Sequence, residues 1–245
     1  VLKTWPDDPD IWQLQWDLAR EAILAGRWAQ ARRLLNRPAD LAPLPAPLEA
    51  RRLFWLGLTL HELGDQPAAE DTWTRLIDGS PAGYYRWRAM DRLGMAAPLD
   101  LRDGAASEPP PGWEPLNSEH ELVNTLWRLG QVQSAWDTWR AMQKPRATQP
   151  PAERLAEGRL RLSVGDTWMA LDQLWWLSLR WRDPTCQQRQ MLRRSQFPQL
   201  FNREMGDAAK QSQVRVELLR AIAKQESRFA PGVTSPTGAI GLMQL

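Results

Sequence analysis

Residues 221–245 read AIAKQESRFAPGVTSPTGAIGLMQL and hold the side chains best placed to do chemistry. In the stretch VRVELLRAIAKQESRF, Val216, Leu219, Ile222 and Ala223 lie at helical spacing, and Glu226 follows Leu219 by seven residues and Ile222 by four. This register predicts Glu226 on the apolar stripe, with Glu217, Arg220 and Lys224 elsewhere around the helix. A carboxylate on an apolar face is costly unless paired or protonated, and desolvation favours the protonated form. A general acid working near neutral pH requires just that. On register alone a commoner arrangement stays open, a helix-end residue bonded to the amides of the following loop. Pro231 cannot continue the helix, and Gly232, Gly238 and Gly241 suit tight turns, so the loop can fold against the carboxylate as a cleft floor. Within it, Ser235 before Pro236 can cap a turn and Met243 can pack in the core.

The elements that position this tail carry an internal repeat. AGRWAQARRLL, LGDQPAAEDTW, LGQVQSAWDTW and VGDTWMALDQL each place an Ala five residues after a Gly and a large apolar residue four after that. The glycines are Gly26, Gly64, Gly130 and Gly165; the alanines are Ala31, Ala69, Ala135 and Ala170; the large residues are Leu35, Trp73, Trp139 and Leu174. A Gly ends one helix, a small Ala lets the next approach, and the bulky residue one turn later fills the groove. Irregular spacing of the units makes a degenerate, TPR-like α-superhelix the expected architecture over residues 1–196. Proline-rich breaks at 36–49, 105–119 and 144–153 separate the hairpins, and Ser118 with Glu121 has the spacing of a capping box. A domain boundary is expected at residue 197, leaving 197–245 as the start of a second, all-α domain.

Bulk properties exclude several classes. The net charge of +2 argues against binding driven by nucleic-acid phosphates. Residues 180–228 are more basic, with eleven Lys/Arg and five Asp/Glu, which is either a solvated face or a surface for an anionic polymer. One cysteine, Cys186, and two histidines, His61 and His120, supply neither an internal disulfide nor a metal site, and no cofactor motif is present. No apolar run approaches the ~20 residues that span a bilayer. The fifteen tryptophans are read mainly as hairpin packing, with one or two free to stack on sugars. The chain starts at Val1 and stops directly after GLMQL, which predicts a segment of a longer protein, so a missing leader says nothing of compartment.

Glu226, Ser227, Pro231, Ser235, Gly238, Ala239, Gly241, Leu242, Met243 and Gln244 occur in the order and spacing of a family signature. The run resembles that of the soluble lytic transglycosylases, whose catalytic domain has a lysozyme-like fold. FPQLF at 197–201 and GYYRWRAMDRLG at 83–94 are similar to further segments of that family. The resemblance implies cleavage of the β-1,4 bond between N-acetylmuramic acid and N-acetylglucosamine in peptidoglycan, in the periplasm of a diderm bacterium. It implies Glu226 as general acid, then base, while the muramyl 6-hydroxyl closes on C1 to leave a 1,6-anhydro end. Ser235, Gln244 and Met243 are the implied substrate-binding residues. Ser227, Pro231, Gly238, Ala239, Gly241 and Leu242 are the implied structural motif. The family domain extends past GLMQ, so residues 1–245 alone are expected to be inactive. Two alternatives stand beside this reading: a goose-type muramidase that uses water, and a helical-repeat binding scaffold of the envelope.

Overall fold

The computed structural model describes residues 4, 8–37, 44–80, 83–95, 113–142 and 148–245. The proline-rich breaks around 36–49, 105–119 and 144–153 lie partly outside these residues. The fold is all-α. Among the described residues there are twelve helices: α1 Pro9–Leu24, α2 Trp28–Leu35, α3 Ala46–Glu62, α4 Gln66–Gly79, α5 Tyr84–Arg92, α6 Glu121–Arg128, α7 Val132–Met142, α8 Pro151–Ser163, α9 Thr167–Arg180, α10 Cys186–Gln196, α11 Asn202–Ser212 and α12 Val216–Ser227. The chain divides into two compact units, residues 1–100 and 101–245. The sequence repeat does not announce this division, and residue 197 falls inside the second unit.

All four repeat motifs are helical hairpins, α1/α2, α3/α4, α6/α7 and α8/α9. Gly26, Gly64, Gly130 and Gly165 take left-handed φ of 66°, 82°, 73° and 83°, a conformation that a Cβ would strain. Ala31, Ala69, Ala135 and Ala170 are each 0% exposed, where the second helix of a hairpin meets the first. Leu35, Trp73, Trp139 and Leu174 are buried one turn further on.

The structure adds a position that the repeat reading missed. Seven residues before each turn glycine stands a small or β-branched residue, Ala19, Gly57, Val123 or Gly158. In two hairpins only glycine fits. A Cβ on Gly57 would lie 2.7 Å from Cδ1 of the Trp73 indole, and one on Gly158 would lie 2.6 Å from Cδ2 of Leu174. The Trp73 indole N–H donates to the Phe54 carbonyl at 3.2 Å, so this buried donor is satisfied.

In the second unit α8 holds buried charge. Arg159 donates to the Pro115 carbonyl at 2.6 Å, lies 3.7 Å from the Glu114 carboxylate and stacks over Trp127 at 5.3 Å. Burial pushes its pKa down, against the opposing pull of Glu114. Glu157 pairs with Arg161 at 2.8 Å and accepts from Gln173 of α9 at 3.0 Å. These contacts fix residues 114–116 and α9 to the same helix. The expected capping box at Ser118 does not form. Asn124 brackets the Ser118 backbone instead, its Oδ1 accepting from Ser118 N–H and its Nδ2 donating to the Ser118 carbonyl, both at 2.9 Å. A capping box does open α10, from Thr185 and Gln188.

Gly57→Ala is expected to lower stability by about 1–3 kcal/mol through overpacking against Trp73. Gly79→Ala, where a Cβ meets nothing within 4 Å, is expected to be neutral or stabilising by up to about 1 kcal/mol. Urea denaturation of the two variants measures the contrast, and equal midpoints would refute the packing argument.

Candidate active site

Helix α12 carries Glu226 one residue from its end. VELLRAIAKQES contains good helix formers, and Glu217 lies in the first turn, where a negative charge suits the helix dipole. A hydrogen bond from its own main-chain N–H, with Arg215 beside it at 3.3 Å, lowers the pKa of Glu217.

The buried side of α12 differs from the expected one. Ala223 and Ser227 are both 0% exposed, and Val216 and Leu219 pack against the hydrophobic cluster that holds Ala223. The stripe therefore runs through 216, 219, 223 and 227, and Glu226 is exposed. Ile222 and Ala223 are adjacent and both apolar, so the sequence supports either register. The packing of α9 and α11 selects the one through Ala223. Among the described residues Glu226 also accepts no hydrogen bond and forms no ion pair, so it does not tie the helix end to the loop. Its neighbour Ser227 does. The Ser227 hydroxyl lies 2.9 Å from the Ala223 carbonyl and 2.9 Å from the Leu242 carbonyl. A polar side chain is thus buried without an unmet hydrogen bond.

Two successive left-handed residues stop the helix, Arg228 at φ 50° and Phe229 at φ 59°. Phe229 is 2% exposed and packs in a cluster with Leu171 of α9, Met205 of α11 and Ala223. Arg228 reaches back to α9, donating to Asp172 at 3.1 Å with its guanidinium 4.5 Å above the Trp168 ring. The end of the Glu226 helix is therefore held from within and from the last repeat hairpin.

The loop that follows is a small hairpin. Thr234 and Ile240 form an antiparallel bridge, Gly238 N–H donates to the Ser235 carbonyl at 3.0 Å, and Ser235 N–H donates to the Ala239 carbonyl at 2.8 Å. Pro236 and left-handed Gly238, φ 91°, match the three-residue hairpin loop. Ser235 Oγ accepts from Ala239 N–H at 3.0 Å and lies 3.0 Å from Thr237 Oγ1. Gln244 donates to the carbonyls of Val233 at 3.1 Å and Gly241 at 2.8 Å. The hydrogen bonds of Ser235 and Gln244 thus brace the loop, and neither reaches Glu226. Leu242 and Met243 pack against the Phe229 cluster, while Pro231 is exposed just after the helix end.

Among the described residues, the other residues and segments marked by sequence form no hydrogen bond or ion pair with Glu226. Arg194 pairs with Glu114, and Arg193 is exposed. Phe197 is exposed, whereas Leu200 and Phe201 of the same FPQLF segment pack on the Phe229 cluster. Of the tryptophans, Trp12, Trp73, Trp136 and Trp139 are core, and Trp113, Trp168 and Trp175 present exposed rings. Among the described residues no group of His, Cys, Asp and Glu could hold a metal ion, and no helix is long and apolar enough to cross a membrane.

A helical-hairpin fold leading to an acid-bearing helix and a glycine-punctuated hairpin loop defines a class. Residues 204–245 match the family model described as Transglycosylase SLT domain, and over them the chain resembles the soluble lytic transglycosylase family. The whole chain is similar in structure to the lytic transglycosylase Slt of Pseudomonas aeruginosa, solved as an inactive mutant. The two share 24% identity and a TM-score of 0.51, over 98% of this chain and 36% of that one. That likeness establishes the shared helical fold. The 70-kDa soluble lytic transglycosylase of Escherichia coli aligns with 21% identity and a TM-score of 0.49, over 95% of this chain and 34% of that one. A 70-kDa soluble lytic transglycosylase in complex with bulgecin A aligns with 22% identity and a TM-score of 0.48. The chain spans about a third of the length of these proteins, 34% to 36%. No curated protein is matched by the sequence.

Ser227→Ala is expected to cost about 1–3 kcal/mol, because the Leu242 carbonyl loses its buried donor. Hydrogen exchange checks the local consequence: amides of 238–244 should exchange faster in the variant, and unchanged protection there would refute the tie.

Proposed function

We propose that the protein at its natural length is a peptidoglycan lytic transglycosylase and that Glu226 is its catalytic acid and base. The observation that carries this reading is Glu226 itself. It is a water-facing carboxylate on a helix end fixed by Ser227, Arg228 and Phe229, inside residues that match a Transglycosylase SLT domain. Residues 197–245 are read as the opening of that domain and 1–196 as the helical superstructure that guides the glycan strand to it. The resemblance to envelope enzymes supports a periplasmic location.

The reaction needs only one carboxyl group. Glu226 donates a proton to the oxygen between N-acetylmuramic acid and N-acetylglucosamine, and the bond from that oxygen to muramyl C1 breaks. The muramyl 6-hydroxyl then attacks C1, forming the 1,6-anhydro ring, and its proton returns to Glu226. A retaining glycosidase needs a second carboxylate as nucleophile, and an inverting one needs a base for water. Here the nucleophile belongs to the substrate, so proximity replaces the second residue. Ser235, Gln244 and Met243 are proposed to contribute to the sugar-binding side of the cleft. The first two do so through the loop that they brace rather than through Glu226. Glu226 is open to water in residues 1–245, and a general acid is favoured by exclusion of water. This supports the reading that these residues alone lack lytic activity.

Digestion of purified sacculi followed by mass spectrometry tests the proposal. The protein at its natural length should release anhydro-muropeptides, and Glu226→Gln should cut their release by at least about 100-fold, the lower range for losing general acid catalysis. Residues 1–245 alone should release none. Products heavier by one water would identify a muramidase, and activity that survives Glu226→Gln would refute the assignment of the carboxylate and favour a binding scaffold.

A further inference from the structure

A cavity of about 780 Å³ lies between α9, the Phe197–Phe201 segment and α12. This is within the range of small-molecule sites. Trp175 of α9 and Phe197 line it, and both rings are substantially exposed, at 42% and 62%. Arg220, Lys224 and Arg228 line it from α12, together with one acid, Glu217. Glu226 is not part of the lining. Lys224 and Glu226 are two residues apart, which on an α-helix separates them by roughly 200°. The cavity therefore opens on the face of α12 away from the catalytic candidate.

Charge in the lining is incompletely compensated. Glu217 is engaged by Arg215 at 3.3 Å and also attracts Arg220, and Arg228 is paired with Asp172 at 3.1 Å. Lys224 has no carboxylate partner among the described residues. Its ammonium sits 3.6 Å from the centroid of the Phe197 ring. Arg220 donates to the neutral Asn202 side chain at 2.7 Å, and its buried Nε has no hydrogen-bond partner among the described residues. Two cations, one of them held over the Phe197 ring, beside the exposed Trp175 indole form a site for an anion attached to a flat, partly apolar body. Sugar rings present such faces to indoles, and cations bind carboxylates by charge-assisted hydrogen bonds.

We propose that this cavity is a second binding site, distinct from Glu226, for the carboxylate of a muramyl saccharide, with Lys224 and Arg220 on the carboxylate and Trp175 against the sugar. The choice of a muramyl compound rests on the peptidoglycan reading above; the anion-binding chemistry does not. The carboxylate has two possible sources, the lactyl group of free N-acetylmuramic acid and the peptide attached to it. Burial lowers the Lys224 pKa to about 8, so its charge is lost in mildly alkaline solution. The charged groups that line the cavity with it are Glu217, Arg220 and Arg228.

The test uses the protein at its natural length carrying Glu226→Gln, titrated calorimetrically with N-acetylmuramic acid, with N-acetylmuramyl-dipeptide and with neutral N-acetylglucosamine. Lys224→Gln should weaken binding of at least one acidic ligand about tenfold and leave the neutral sugar unchanged. Lys224→Arg should restore the affinity, and Trp175→Ala should weaken the same ligand. The response of the free acid alone would identify the lactyl carboxylate, and that of the dipeptide alone the peptide carboxylate; either supports the site. Affinity should also fall between pH 7 and 9 in the Lys224 protein and not in Lys224→Arg. Acidic ligands that bind Lys224→Gln and the parent equally would overturn the proposal. Sacculus digestion separates the two readings. Intact digestion without Lys224-dependent binding removes this site alone, whereas Lys224-dependent binding without digestion removes the enzymatic reading and leaves the site.

Discussion

The Ser227 hydroxyl, shared between the carbonyls of Ala223 and Leu242, is the contact on which the candidate site depends. It joins the last turn of the acid-bearing helix to the end of the loop through a fully buried side chain. The helix stops there because Arg228 and Phe229 both take left-handed backbone conformations. Each such residue costs roughly 1–2 kcal/mol for an L-amino acid. Burying a Phe side chain contributes on the order of 1.5–3 kcal/mol, and a partly exposed ion pair such as Arg228–Asp172 rarely more than about 1 kcal/mol. The Phe229 cluster is therefore the larger of the two offsets. The arginine contributes direction, because it ties the stop to one particular helix.

That helix, α9, is in turn fixed by the hairpin repeat. Leu174 fits against Gly158, leaving no room for a Cβ between α8 and α9, and Gln173 bonds to the buried Glu157 of α8. Leu171 on the same helix enters the Phe229 cluster, and Asp172 and Trp168 receive Arg228. One repeat motif thus serves two ends. Its inner face closes a hairpin, and its next face locates the helix end beside Glu226. The repeat hairpin and the acid-bearing helix are mechanically continuous within the second unit.

Much of this was legible in the sequence because it rests on local chemistry. A glycine that must be left-handed, an alanine that must be small and a large residue one turn later recur at fixed spacing, and all four hairpins follow. The loop hairpin is similarly written in Pro236 and Gly238. The facing of α12 is not local. Ile222 and Ala223 permit two registers, and the correct one buries a serine, which no hydrophobic pattern selects. Its burial depends on a carbonyl fifteen residues away, supplied by a loop whose path is set by Phe229. Arg159 was equally hidden, since its partners at 114–116 belong to a stretch without periodicity. The glycines at 57 and 158 show the reverse case. They stand at a readable spacing, but only the indole and leucine opposite them give that spacing a meaning.

The two faces of α12 now have a common logic. In the role proposed for Glu226 a carboxyl group gives up a proton and then recovers it, and a fixed cation beside such a group favours its ionised form. A site for a carboxylate ligand needs such cations. Placing Lys224 and Arg220 on one side of a single helix and Glu226 on the other lets both requirements be met within three turns. The helix barrel separates the charges, while Phe229 and Arg228 hold both faces in fixed relation to α9. On the proposed reading, an acidic ligand on the cationic face would sit on the opposite side of the same rigid element from Glu226. The positions of the charged residues around α12, rather than their number, decide what each face can do.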